Sequence, residues 1–156
     1  MRIPAQILPF FVRLFLMVCL LVSAGCRDDE ETFQVVVIDS QEELENLLLG
    51  SDGTRINGDV IISGNVLSLE ILSSVEKIIG NLAIVDSQIT SLEGLDNLNL
   101  VTGDITIRST PPFQQRIVDF CALQNLLTQG SFRSINILDN LHNPSVQDIQ
   151  SGNCSF

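Results

Sequence analysis

A chain of 156 residues with 45% hydrophobic content has room for one domain and enough apolar material for its core. Its formal charge of -11, from 19 acidic against 8 basic residues, gives a surface that repels nucleic acid and anionic lipid. With no Trp, no Tyr and one His, stacking platforms for sugars or bases would rest on Phe alone, and the palette for catalysis is thin.

Met1 to Arg13 is apolar and carries only positive charge, Leu14 to Val22 is an unbroken apolar run, and Ser23-Ala24-Gly25 are small residues before Cys26. That is the order of a secretory signal, and the run is far short of the roughly 20 apolar residues that a membrane span needs. Val22-Ser23-Ala24-Gly25-Cys26 resembles the lipobox of bacterial lipoproteins, with Ser23 where that family favours Leu. The resemblance implies a signal peptide over 1–25 and a lipid on Cys26 that anchors the chain to a membrane. Residues 26–32, with Asp28, Asp29, Glu30 and Glu31, then form an acidic tether that must stand in water. The same run resembles the export motifs beside the lipid cysteine in surface lipoproteins of some Gram-negative bacteria. Arg27 rather than Asp follows Cys26, so the inner-membrane retention pattern is absent. The expected location is the cell envelope, as an outer-membrane lipoprotein exposed at the surface.

The remaining residues, 33–156, are expected to form one domain. Phe33 to Ile38 reads as a strand, and Ser40 followed by Glu43 is a capping box opening a helix through Leu49. Beyond it an internal repeat appears: Ile56-Asn57-Gly58-Asp59-Val60-Ile61-Ile62, Ile78-Ile79-Gly80-Asn81-Leu82-Ala83-Ile84 and Val101-Thr102-Gly103-Asp104-Ile105-Thr106-Ile107, with glycines 22 and 23 residues apart. Apolar triplets, Leu69/Leu72/Val75 and Leu92/Leu95/Leu98, recur in phase between them. Each unit reads as a short strand with Val60/Ile62, Leu82/Ile84 or Ile105/Ile107 facing in, followed by a 3₁₀-like return. Ile135/Ile137 marks a fourth strand. No unit can bury itself alone, so the expected fold is α/β: a short right-handed parallel β-solenoid of 22–23-residue repeats, closed by helical caps.

At the C-terminal end Asp119 can cap a helix from Phe120 to Thr128 with Gly130 as its stop, and Asn143-Pro144 starts a turn carrying Val146 and Ile149. Cys19 leaves with the signal and Cys26 takes lipid, leaving Cys121 and Cys154 as one possible disulfide in an oxidising compartment; the alternative is two buried thiols.

The glycine-led strand units, the return Leu92-Glu93-Gly94-Leu95-Asp96-Asn97-Leu98 and the closing Asp119-Phe120-Cys121-Ala122-Leu123 resemble the receptor L-domain family, related in shape to leucine-rich repeats. The resemblance covers Phe33 to Phe156 and implies recognition, without naming a ligand. It breaks at Thr110-Pro111-Pro112-Phe113-Gln114-Gln115-Arg116, where another leucine-rich return would be expected.

Residues alternating with the core give an outward face: Ile61, Ala83 and Thr106 in one row, Ser63, Val85 and Arg108 in the next. The plain reading is a solvated sheet; the functional one is a ligand face for a protein or glycan. Asp59, Asn81 and Asp104 occupy equivalent turn positions that turn chemistry explains, and the nonapeptide of calcium-binding β-rolls is missing, so no metal or other cofactor is expected. His142 reads as a packed or exposed turn residue, Lys77 is the one lysine, and Glu42 and Glu45 fall on a polar helix face. No catalytic residues are assigned, and an enzyme is not expected. The expectation is a lipid-anchored recognition module. An assembly accessory of an envelope complex is the alternative, and a carbohydrate-active enzyme a third class.

Overall fold

The computed structural model describes residues 34–48, 53–110 and 117–156. The signal segment, Cys26, the acidic tether, Phe33, Leu49 and residues 111–116 lie outside the described residues, which all belong to the unit Thr32–Phe156.

Alternating β-branched residues build the strands. They are β1 (Gln34–Ser40), β2 (Arg55–Asn65), β3 (Lys77–Ile79), β4 (Leu82–Ser87), β5 (Leu100–Val101), β6 (Asp104–Arg108) and β7 (Ser134–Leu138). Among the described residues three short helices accompany them: α1 (Gln41–Leu47), α2 (Gln124–Gln129) and α3 (Val146–Gln150). All strand pairings are parallel, in the order β5-β3-β2-β4-β6-β7 with β1 on β2.

This pairing corrects the expected solenoid. The architecture is an α/β arrangement around one seven-stranded parallel sheet. Eleven-residue β2 belongs to two ladders, pairing Arg55–Asn57 with β3 and Val60–Gly64 with β4. The spacing also changes: Leu82 pairs with Ile105, but Ile105 pairs with Ile135, and that longer interval holds a 3₁₀ turn (Cys121–Leu123) running into α2. A repeat in sequence reports how far apart paired strands lie along the chain. It does not report how the sheet is closed.

The core lies against one face of the sheet. Val60, Ile62, Leu82, Ile84, Ile105 and Ile107 are at most 1% exposed, and both apolar triplets are buried with them. A 3₁₀ turn, Glu70–Ser74, carries Leu72 inward. On α1 the Ser40 hydroxyl accepts from the Glu43 N–H at 3.4 Å, but Glu43 reaches back to the Asp39 N–H at 3.0 Å, one residue beyond the Ser40 N–H of the expected box. The box with both halves in place is at α3, where the Ser145 hydroxyl accepts from the Asp148 N–H and Asp148 accepts from the Ser145 N–H.

Glycine sets the closest approach between strands. A Cβ on Gly80 (φ 159) would overlap the Gly58 carbonyl oxygen, and one on Gly103 would lie 2.7 Å from the Gly80 oxygen. The three glycines that mark the repeat thus stack backbone on backbone.

Cys121 and Cys154 form the disulfide, closing a separation of 33 residues. Around it the tail returns to the chain: the Phe120 N–H donates to the Cys154 carbonyl at 2.9 Å, and the Phe156 N–H to the Val118 carbonyl at 3.0 Å. Replacing both cysteines with serine is expected to lower stability by about 4 kcal/mol through the entropy returned to the unfolded chain. Denaturant titration checks this, and a loss under about 1 kcal/mol would show that the hydrogen bonds hold the tail unaided.

Candidate functional site

The Val60 N–H donates to the Asn81 carbonyl at 2.9 Å, which fixes the β2–β4 register and with it the columns on the face opposite the core. One column runs Val37, Ile61, Ala83, Thr106, Asn136, and a shorter one runs Val85, Arg108, Leu138. Ile61, Ser63, Ala83, Val85 and Thr106 are partly exposed and Arg108 is exposed. The expected row of Ser63, Val85 and Arg108 needs one correction: Val85 pairs with Arg108, but Ser63 sits where the β2–β4 register shifts between Ile62 and Gly64. Four outward residues are absent from the sequence reading. Val35 (59% exposed) and Val37 (57%) belong to this face because β1 lies beside β2; Asn136 and Leu138 (52%) extend it along β7. Their period-2 alternation is visible in sequence, but their place beside the repeat follows from pairing alone.

Where β4 and β6 begin, Asp59 of β2 accepts through Oδ1 from the Asn81 N–H (2.7 Å) and Nδ2 (2.9 Å), and Asn81 Oδ1 accepts from the Asp104 N–H (2.8 Å). Asp104 in turn accepts from Arg133 Nε (2.9 Å) and Nη2 (3.0 Å) and from the Ser134 hydroxyl (2.8 Å). The Arg133 guanidinium, followed by the Ser134 hydroxyl, holds the Asp104 carboxyl below its ordinary range. These oxygens act as caps that tie each strand to the start of the next. Among the described residues no group of three or more His, Cys, Asp or Glu is placed to hold a metal ion.

At the opposite ends Asp86 takes a positive φ of 52°, and its carboxylate accepts from the Thr110 N–H and hydroxyl. The hydroxyl, then the amide, hold the Asp86 carboxyl below its ordinary range. A carboxyl lowered on folding stabilises fully above its unfolded value and loses that contribution as pH falls through the folded one, so the window lies below about pH 4. Asp86→Asn, which tolerates the same backbone conformation, is expected to flatten the loss of stability below that pH. Circular dichroism across an acid titration reads the slope, and an unaltered slope would remove Asp86 from the account.

His142 lies between two rings, 6.3 Å from Phe120 edge-on and 6.0 Å from Phe156. Its Nε2 is buried and makes no hydrogen bond to a described residue. Glu42 and Glu45 stand exposed on α1, and Lys77 is exposed at the start of β3. Among the described residues no helix is long and apolar enough to cross a membrane. No protein-family model, no curated protein and no solved structure matches the chain.

Proposed function

We propose that the chain is a recognition module of the cell envelope, tethered by a lipid on Cys26, displayed at the surface of the outer membrane, and binding a protein or glycan on the outer face of its sheet. The signal order and lipobox-like residues support the anchor, and the acidic tether supports surface display. The resemblance to receptor L-domains favours binding over turnover. The observation that carries the reading is the column Val37, Ile61, Ala83, Thr106, Asn136: five strands in one register offer a row of small and apolar groups that remains open to solvent. A rigid ladder suits recognition, because little order has to be imposed on it when a ligand arrives.

A second reading, an accessory that assembles into a larger envelope complex, is favoured by Val35 and Val37 standing exposed on a strand that pairs on one side with β2. The two are separable on arrays of envelope glycans and secreted proteins. Ile61→Glu with Val85→Glu is expected to weaken whatever binding the wild type shows by at least about tenfold, since two charges would be desolvated against the ligand. Unchanged binding in that variant, with loss in Val35→Lys plus Val37→Lys, would favour assembly. Protease shaving of intact cells tests display: release of peptides from Thr32 onward is expected, and full protection despite strong expression would move the domain inside.

A further inference from the structure

Among the described residues the sheet also ends at β7. Ile135 and Ile137 pair with Ile105 and Ile107 and face the same core, yet they are only half-buried where their partners are sealed. Beside them runs a groove of about 290 Å³, with Ile135, Ile137 and Leu138 on one wall and Asn143, Pro144 and Val146 on the other. Among the described residues no strand pairs with the far side of β7. The Ile107 carbonyl faces the β7 side, where Asn140 Nδ2 reaches it at 3.2 Å. In a parallel ladder the residue opposite such a group turns its own N–H and C=O away, so Ile135 and Ile137 present theirs toward the groove.

Charge narrows the occupant. From Ser134 to Phe156 the acidic side chains are Asp139 and Asp148, with no Lys or Arg among them; Arg133, just before β7, is engaged by Asp104 at 2.9 Å, and Arg108 stands beside Leu138 on the outer face. Asp139 follows β7 directly, and Asp148 lies on α3 in the capping box of Ser145, which lines the groove. A second copy would bring these carboxylates together on chains that each carry a charge of -11. We propose that the β7 edge takes up an extended polypeptide segment of alternating apolar and basic residues as an added strand. Its apolar side chains continue the core over Ile135 and Ile137, its main chain pairs with theirs, and its basic side chains answer Asp139 and Asp148. This site shares Asn136 and Leu138 with the margin of the outer face, but its pairing groups and its apolar floor, Ile135 and Ile137, do not belong to that face, and it stands whether or not the centre of that face binds.

The test is hydrogen–deuterium exchange on the full-length chain with a blocked synthetic peptide alternating lysine and valine, about seven residues long to span the five of β7. Slower exchange at Ile135 and Ile137, weakened by salt, is the expected result. Leu138→Lys is expected to weaken binding at least about tenfold by like-charge repulsion, with Val37→Lys at the other edge unchanged. Equal binding of a lysine–glycine or glutamate–valine peptide overturns the proposal, as does protection confined to Ile61 and Ala83, or none at all. Dimerisation abolished by Leu138→Lys would give the edge to a second copy and overturn it too. Should that variant not fold, the wild-type exchange map decides alone.

Discussion

Gly80→Ala is expected to cost about 3 kcal/mol or more, a large share of the roughly 5–15 kcal/mol that holds an ordinary domain folded. The added methyl would have to occupy space held by the Gly58 carbonyl and the Asp59 nitrogen, which are main-chain atoms of a neighbouring strand and cannot swing aside. The φ of 159° is one that L side chains rarely adopt, so backbone strain adds to the collision. Gly152→Ala separates these two causes. At Gly152 φ is 88° and no atom lies within 4 Å of an added Cβ, so backbone strain alone acts there, at about 1–2 kcal/mol. Urea titration of the two variants measures the difference. Equal losses would mean that the strands can separate slightly at little cost and that the glycine stack does not set their spacing.

Phe120→Ala is the second large effect, with an expected loss of about 3–5 kcal/mol. Phe120 is fully buried, its ring meets the edge of His142, and its N–H is bonded to the Cys154 carbonyl beside the disulfide. The cavity left behind would be lined by groups that the disulfide holds in place and that cannot collapse into it. Loosening should therefore concentrate in the tail, with faster hydrogen exchange from His142 to Phe156 than in β2 and β4. A loss under about 1 kcal/mol would show that the C-terminal segment packs independently of this ring.

Much of the interior was legible in the sequence because burial follows a period of two on strands and of three on tight returns. Val60/Ile62, Leu82/Ile84, Ile105/Ile107 and the triplets at 69/72/75 and 92/95/98 are all buried. The strand at Ile135/Ile137 and the pairing of Cys121 with Cys154 were legible for the same kind of reason, a local pattern with few alternatives. Architecture was less so. β3 and β5 are three and two residues long, too short for alternation to register, yet they carry β2 into a second ladder. The box at Ser145 escaped notice because Asp148 stands where Glu or Gln is the usual partner.

The outer face was half legible. Ile61, Ala83 and Thr106 follow from inverting the core pattern, and the pairing sets them side by side. Ser63 leaves its row because β4 carries an extra residue there, Ile62 pairing with Ile84 but Gly64 with Ser87, and Asp86, at φ 52°, belongs to a bulge that no alternation announces. Val35 and Val37 look in sequence like a lid over the end of the repeat. Only the pairing of Gln34–Ile38 with Gly58–Ile62 makes them part of the face.

The claim that matters most is that a ligand meets the centre of that face. Photocrosslinking in intact cells from a diazirine side chain at position 83, in the middle of the longest column, tests it directly against the same group at Glu93, exposed on a return. A discrete adduct from position 83 and none from position 93 is the predicted result. The same adducts from both positions, or none from position 83 while the domain is folded at the cell surface, would contradict it.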